Sequence, residues 1–247
     1  MTRQVAERLA LPVAMASIML LALAYWWLDN LPHELAGTAM FVFLARHVLI
    51  NRSWFRQLPR GRYDARRMLV LVLHAVLMIN MAVLLATSLA ISNALFAFLS
   101  LPPSPFLREV HWFSAYWVVV IVGIHLGTHW HRVMALAAPI LGVFPARLRA
   151  IFLRLLAFGG AAYGLWSFGA LGVGSKLTFT YSLDFWDFTT SVFPFLAHWT
   201  GVLCLFGVAT HYALAAVKAF RLKAARGAQP TLNSTINPRS NAHERSQ

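Results

Sequence analysis

The sequence predicts an all-α protein that crosses a membrane several times. Apolar residues make up 59% of the 247 residues, and charged residues only 12%, whereas soluble domains average about 25% charged residues. The mean hydropathy is +0.63. The apolar residues also occur in runs close to the roughly 20 residues that a helix needs to span a bilayer. These features disfavour a soluble globular domain and exclude disorder over most of the chain.

Six apolar segments are long enough to be spans. They lie at about 9–28, 33–50, 68–99, 110–130, 148–173 and 192–218. The first differs from a signal peptide because its apolar run is too long and Tyr25, Trp26 and Trp27 stand where small residues would mark a cleavage site. We expect three helical hairpins, at about 9–54, 68–132 and 148–218, that form one transmembrane domain of residues 1–223. Residues 224–247 are polar and are predicted to be a disordered cytoplasmic tail.

The basic residues predict the orientation of the spans. The chain has 21 Lys and Arg against 8 Asp and Glu, a net charge of +13. In a soluble protein this balance would suggest nucleic acid, but here the basic residues gather after the second, fourth and sixth spans. They are Arg52, Arg56, Arg60, Arg62, Arg66 and Arg67, then Arg132, Arg147 and Arg149, then Lys218, Arg221, Lys223 and Arg226. Because positive loops stay in the cytoplasm, we expect both termini there and no nucleic-acid partner.

Two further observations exclude classes of cofactor. Cys204 is the only cysteine, which rules out disulfides, iron–sulfur clusters, four-cysteine zinc sites and covalently attached haem. The chain has no Gly-x-Gly-x-x-Gly segment, so a Rossmann-type nicotinamide site is excluded too.

The histidines carry the main functional signal. His33 and His47 are separated by thirteen residues, and so are His111 and His125. A step of 14 residues is close to four helical turns, so both members of a pair share one face, roughly 21 Å apart along the axis. The second and fourth spans run in the same direction, which would place His33 beside His111 at the outer face and His47 beside His125 at the inner face. Because imidazole is a common haem ligand, the pattern predicts two b-type haems, each held by one such pair in a haem-binding bundle.

Other interpretations of these histidines stay open. Histidines near the ends of spans can be interfacial residues, and histidine is also a common zinc ligand, although the spans hold almost no carboxylates. Secondary ligand candidates are His74, His129, His198 and His211. For the first two we favour a hydrogen bond to a haem propionate or a quinone site, and the last two need a kink or π-bulge to share a face.

Arg46 and three glycines fit a haem site without requiring one. Arg46, next to His47, is a candidate partner of a haem propionate, although an ordinary cytoplasmic arginine is the alternative. Gly37, Gly123 and Gly127 would allow close approach either of a macrocycle or of another helix.

A family resemblance is carried by short motifs. The segment HELAGTAMFVFLARHVLINRSWF resembles the membrane b-type cytochromes called flavinylation-associated cytochromes; the matched residues are His33, Glu34, Gly37, His47, Asn51 and Trp54. The hairpin from Met68 to Arg132 resembles a second copy, with His111, His125 and Trp130, but it has Thr87-Ser88 where Thr-Gly is expected. The resemblance covers about residues 10–135, and the ferric-reductase and cytochrome b membrane domains are more distantly similar.

The resemblance implies haem-dependent electron transfer across a bacterial cytoplasmic membrane. The expected partners are a flavoprotein with covalently bound flavin or another cytochrome subunit, with quinone as a further candidate. We expect an electron-transfer subunit of an oxidoreductase complex, which passes electrons between a cytoplasmic-side donor or quinol and a periplasmic-side acceptor. Two alternatives are a ferric-reductase-like subunit with ligands from the fourth and sixth spans, and a haem-free transporter or membrane scaffold.

Overall fold

The computed structural model describes residues 3–142, 145–180, 186–189 and 191–227, and within these ranges the regular elements are helices. The chain divides into two compact units, residues 1–211 and 212–247. In the second unit, the described part is helical to residue 227, and its side chains up to residue 224 are mostly exposed. The predicted tail lies almost wholly outside the described residues.

Nine α-helices occur in the described ranges. They are α1 (Arg3–Ala22), α2 (Tyr25–Leu28), α3 (Asn30–Ile50), α4 (Ser53–Gln57), α5 (Ala65–Ala90), α6 (Pro105–Leu141), α7 (Ala146–Ala170), α8 (Val173–Leu177) and α9 (Val192–Gly227). A single 3-10 turn, Ala97–Leu99, follows α5.

Five of these helices are long and apolar enough to cross a membrane. The candidate spans are Asn30–Ile50, Ala65–Ala90, Pro105–Leu136, Ala146–Ala170 and Val192–Ala224. The segment predicted as the first span contains a shorter apolar helix, Leu9–Ala22. Large apolar side chains lie on the surface, as with Phe193, which is 83% exposed. Such a surface suits lipid rather than water. The helices therefore indicate a membrane protein, while a six-span bundle stays a prediction.

Two predicted spans are shorter in the structure. The first breaks after Ala22, and Asp29, with φ of 63°, separates the short helix α2 from α3. The third ends at Ala90 rather than near residue 99. The backbone N–H groups of Asn93 and Leu95 donate to the Glu34 carboxylate instead of to helical carbonyls, which explains why the helix does not continue.

Local sequence signals explain where α5 and α6 begin. The Asp64 side chain accepts a hydrogen bond from the backbone N–H of Arg67, 2.7 Å away, and so caps α5. Ser104 caps α6 in the same way, and Pro105 occupies its first turn, where a missing N–H costs nothing. The polar residues before each apolar run therefore set the register of the two helices that carry five of the ten histidines.

Small residues allow the helices to pack closely. Helix α5 packs along α6, and α1 contacts both α3 and α6. A Cβ added at Gly123 would lie 2.8 Å from the carbonyl oxygen of Leu203, and one at Gly127 would overlap the carbonyl oxygen of Gly207. These two glycines thus serve the contact between α6 and α9. Gly37 differs, because nothing lies within 4 Å of its added Cβ.

Candidate functional site

Two histidines from different helices face each other at one end of the bundle. His33 lies in the first turn of α3, and His111 lies near the start of α6. Their ring centroids are 6.2 Å apart, with the ring planes at 70°. A metal–imidazole bond is about 2 Å long and the ring nitrogen lies about 1.1 Å from the ring centre, so two imidazoles on opposite sides of one metal ion have centres roughly 6 Å apart. The spacing of His33 and His111 fits such an arrangement.

A large cavity opens beside these two rings. Its volume is about 1280 Å³, and both histidines line it together with Gly37. This exceeds the roughly 300–1,000 Å³ of most small-molecule sites. The aromatic part of its wall consists of Tyr25, Trp26, Phe41, Phe96, Trp112, Phe113, Tyr116, Phe179, Trp186, Phe188 and Phe195. The cavity can therefore hold a large, flat, mostly apolar ligand against two imidazoles.

The hydroxyl of Thr87 fixes the state of the His111 ring. Thr87 Oγ1 is 2.8 Å from the carbonyl oxygen of Val83 and 3.1 Å from His111 Nδ1. A hydroxyl has one hydrogen, and in a helix it is usually donated to the carbonyl four residues back. Oγ1 then accepts the hydrogen of Nδ1, so the other nitrogen of His111, Nε2, keeps its lone pair. Such a bond to the distal ring nitrogen is how proteins orient a metal-ligating histidine.

His33 is held by aromatic and backbone contacts. The edge of Tyr25 meets its ring at a centroid distance of 5.2 Å, and the Tyr25 hydroxyl donates to Asn30 Oδ1 over 2.8 Å. The backbone carbonyl of Ala22 interacts with the ring, whereas Nδ1 is buried without a hydrogen-bond partner. A buried polar atom without a partner is costly and is often completed by a ligand.

Charged residues frame the same cavity. The Glu34 carboxylate accepts hydrogen bonds from Ser92 Oγ, at 2.7 Å, and from the backbone N–H groups of Asn93, Ala94 and Leu95. It therefore anchors the α5–α6 loop at the cavity. Lys176, only 6% exposed, also lines the cavity, with its ammonium 5.5 Å from the centre of the Tyr116 ring.

A second group of histidines lies near the start of α5 and in the second half of α6. His74, His125 and His129 each offer a ring nitrogen within 4.8 Å of the others. Their ring centroids are 4.7–5.5 Å apart, and Trp54 stacks on His74 at 4.6 Å. We call these three residues the three-histidine cluster. His47, predicted to pair with His125, is partly buried and close enough to interact electrostatically with both His74 and His125.

His198 and His211 belong to neither group, although Trp186, which lines the cavity, also contacts His198, with ring centroids 5.5 Å apart. His198 is 7% exposed, stacks on Tyr163 at 5.3 Å, and its Nδ1 is 2.9 Å from Ser167 Oγ. His211 contacts Trp130, with ring centroids 6.3 Å apart. The structure does not bring these two histidines together in one contact.

Arg46 lies at the other end of α3 from the His33–His111 site. Its side chain is exposed, and it is adjacent to His47 in the sequence. Because about four helical turns separate the levels of His33 and His47, Arg46 cannot reach a ligand held by His33.

Several residues of the site were not foreseen as its parts. In the sequence, Thr87 stands out only as part of Thr87-Ser88, where Thr-Gly is expected, and Tyr25 only as a residue that disfavours signal cleavage. No sequence pattern assigns a role to Lys176. The signal of Thr87 in the sequence is weak, because a threonine hydroxyl in an apolar helix normally bonds to a backbone carbonyl nearby.

Comparisons of the chain with models of protein families, with curated proteins and with solved structures found no match. The resemblance to flavinylation-associated cytochromes, and what it implies about membrane and partners, therefore stays a prediction.

Proposed function

We propose that this protein binds haem b between His33 and His111 and transfers single electrons within a membrane. The observation that supports this most directly is the pair of imidazoles 6.2 Å apart on the wall of a 1280 Å³ aromatic cavity. When bound, haem b supplies an iron centre that accepts and releases one electron at a time.

The donor set and the cavity fit such a group. Thr87 leaves Nε2 of His111 free to ligate, and the unpartnered Nδ1 shows that the His33 ring is not fully satisfied by protein contacts. The bare space at Gly37 leaves room for a flat macrocycle. Imidazole suits iron as a ligand.

The other residues of the cavity hold and shield the ligand. Its aromatic walls give the ligand an apolar surface, and the polarity around a bound haem affects its redox potential. We assign Lys176, which lines the cavity, as the cationic partner of a propionate of this haem. Arg46, predicted as such a partner at the level of His47, stays a prediction for a second haem. Glu34 keeps the α5–α6 loop closed on the site through its four hydrogen bonds.

The wider function follows from the membrane setting. We propose an electron-transfer subunit of a bacterial cytoplasmic membrane, with both termini cytoplasmic. Its partners would be a quinol or cytoplasmic-side donor, and a flavoprotein or second cytochrome as the periplasmic-side acceptor.

The number of haems is a separate matter. A second haem would use His47 and His125, whereas His125 makes its ring contacts with His74 and His129. One imidazole nitrogen cannot serve both arrangements, so the second haem stays a prediction.

The proposal is tested by measuring haem in the full-length protein. The chain would be expressed with ample haem, purified in detergent, and examined by its reduced-minus-oxidised spectrum and by the pyridine haemochrome assay. We expect a sharp low-spin α-band that is lost in His33→Ala and in His111→Ala and kept in the control His131→Ala, whose side chain is exposed on the same helix as His111.

Two outcomes would replace the proposal. Loss of haem in His198→Ala or His211→Ala, with His33→Ala unaffected, would support a ferric-reductase-like ligand set. Complete absence of a Soret band in folded protein would support a haem-free transporter or scaffold.

A further inference from the structure

The three-histidine cluster has the composition of a metal site that needs no haem. His125 and His129 are four residues apart on α6 and so lie on one face of that helix. His74 is supplied by α5, which packs along α6. A pair of histidines at this spacing with a third ligand from a neighbouring element is a familiar way to bind a transition metal.

The distances allow the three rings to close on one ion. One nitrogen of each ring lies within 4.8 Å of the others. Ligands bound to a tetrahedral ion at about 2.0–2.1 Å lie roughly 3.4 Å apart. The rings therefore need only a small shift to share an ion, whereas two imidazoles on either side of a macrocycle would have to stay apart.

One ring of the cluster is oriented by a hydrogen bond, and a second has a buried nitrogen without a partner. His74 Nδ1 is 2.6 Å from the backbone carbonyl oxygen of Val70, so this nitrogen donates and Nε2 keeps its lone pair. His125 Nδ1 is buried without a hydrogen-bond partner. The first contact is the usual outer-shell support of a ligating histidine, and the second marks a polar atom that the protein leaves unsatisfied.

Two arginines near the cluster favour an anionic fourth ligand on the metal ion. Arg66 and Arg132 lie close enough for their charges to act on His129. Three neutral imidazoles supply no negative charge, so the cations favour an anion at the remaining coordination position. Sites with three histidines typically keep that position open.

We propose that His74, His125 and His129 form a binding site for one divalent transition-metal ion of the zinc class, with the fourth position open to a small anion. Trp54, stacked on His74, closes one side of the site. The assignment is independent of the haem at His33 and His111.

The test measures bound zinc in the full-length protein. Detergent-purified protein would be stripped with a chelator, dialysed against Zn²⁺, and analysed for zinc by mass spectrometry and for haem by the pyridine haemochrome assay. We expect one zinc per chain in the unmodified protein and its loss in His129→Ala. His131→Ala is the matched control, since it removes an exposed imidazole two residues away and should keep the zinc.

Further variants separate this proposal from the haem proposal. His111→Ala should lose haem but keep zinc. If His129→Ala fails to fold, His129→Gln and His74→Gln remove a ligand with less loss of volume and should give the same result.

The proposal is overturned if the unmodified protein binds no more zinc than His129→Ala. It is also overturned if His129→Ala or His47→Ala lowers the haem content while zinc is unchanged, since the cluster would then belong to a second haem.

Discussion

Two histidines of this protein are held by the same kind of bond in different surroundings. His111 Nδ1 bonds to Thr87 Oγ1 and His198 Nδ1 bonds to Ser167 Oγ, and each hydroxyl donates to the carbonyl four residues earlier in its helix. Both rings therefore have the same tautomer, with a lone pair at Nε2.

The surroundings decide what each ring can do. His111 lines a 1280 Å³ cavity and faces a second imidazole. His198 is packed among Tyr163, Trp166 and Trp186, with ring centroids 4.9–5.5 Å away. The comparison teaches that a correctly held imidazole becomes a ligand site only where space and a partner accompany it. We therefore assign the His198 bond to stability and the His111 bond to ligand binding.

The largest expected effect is on haem content, which should differ between variants of the two histidines. His111→Ala should remove low-spin haem from the purified protein, because one of the two imidazoles that would hold the haem is lost. His198→Ala should keep the haem spectrum and lower the melting temperature, because it leaves a cavity in a packed aromatic cluster. If both variants are folded and lose haem equally, His198 contributes to haem binding as much as His111 does, which would contradict this comparison.

The hydroxyl beside His111 should act on haem affinity. Thr87→Val keeps the shape but removes the acceptor for Nδ1, so we expect about 10–100-fold weaker haem binding, the usual cost of losing an outer-shell partner. The change is measured by haem titration, together with the midpoint potential. Thr87→Ser restores the hydroxyl and should recover both; failure of that rescue would mean that Thr87 acts only through packing.

The hydroxyl beside His198 should act on stability alone. Ser167→Ala leaves His198 Nδ1 buried without a partner, which costs about 1–3 kcal/mol. Thermal unfolding in detergent should show the loss while the haem content is unchanged. A fall in haem content at full stability would contradict the structural role.

The smallest effect concerns the loop beside the first site. Glu34→Gln weakens four charge-assisted hydrogen bonds, and a cost of about 1 kcal/mol corresponds to roughly fivefold faster amide exchange. Hydrogen exchange should detect this at Asn93, Ala94 and Leu95, with the amides of α6 as the internal reference. Unchanged exchange would show that the loop is held by other contacts.

Sequence reasoning captures the coarse architecture of this protein well. Long apolar runs require helices in a bilayer, because backbone groups in lipid must be satisfied within the segment. His33 and His111 occupy equivalent positions in two spans that run in the same direction, and this predicts that they meet. By contrast, the break after Ala22 and the end of α5 at Ala90 depend on Asp29 and on the carboxylate of Glu34, which is distant in sequence from the loop it binds.

The contents of the candidate sites are harder to predict. Helical periodicity relates His47 to His125 only through the relative rotation of two helices, and it does not predict that α5 also brings His74 into contact with His125. Nothing in the pattern of apolar residues shows that Thr87 reaches His111 or that Lys176 lies in a cavity, since both depend on tertiary packing. The sequence also does not show whether a glycine allows close helix packing or leaves space for a ligand. In the structure, Gly127 serves the packing of α6 on α9, whereas Gly37 has open space beside it.

The most direct test of the central claim is the haem content of the detergent-purified, full-length protein beside that of His111→Ala. The account predicts low-spin haem b in the unmodified protein and loss of the haem that His111 holds in the variant, while His198→Ala keeps the full haem content. Haem-free protein after haem-replete expression, or a variant that keeps its low-spin spectrum without His111, would contradict it.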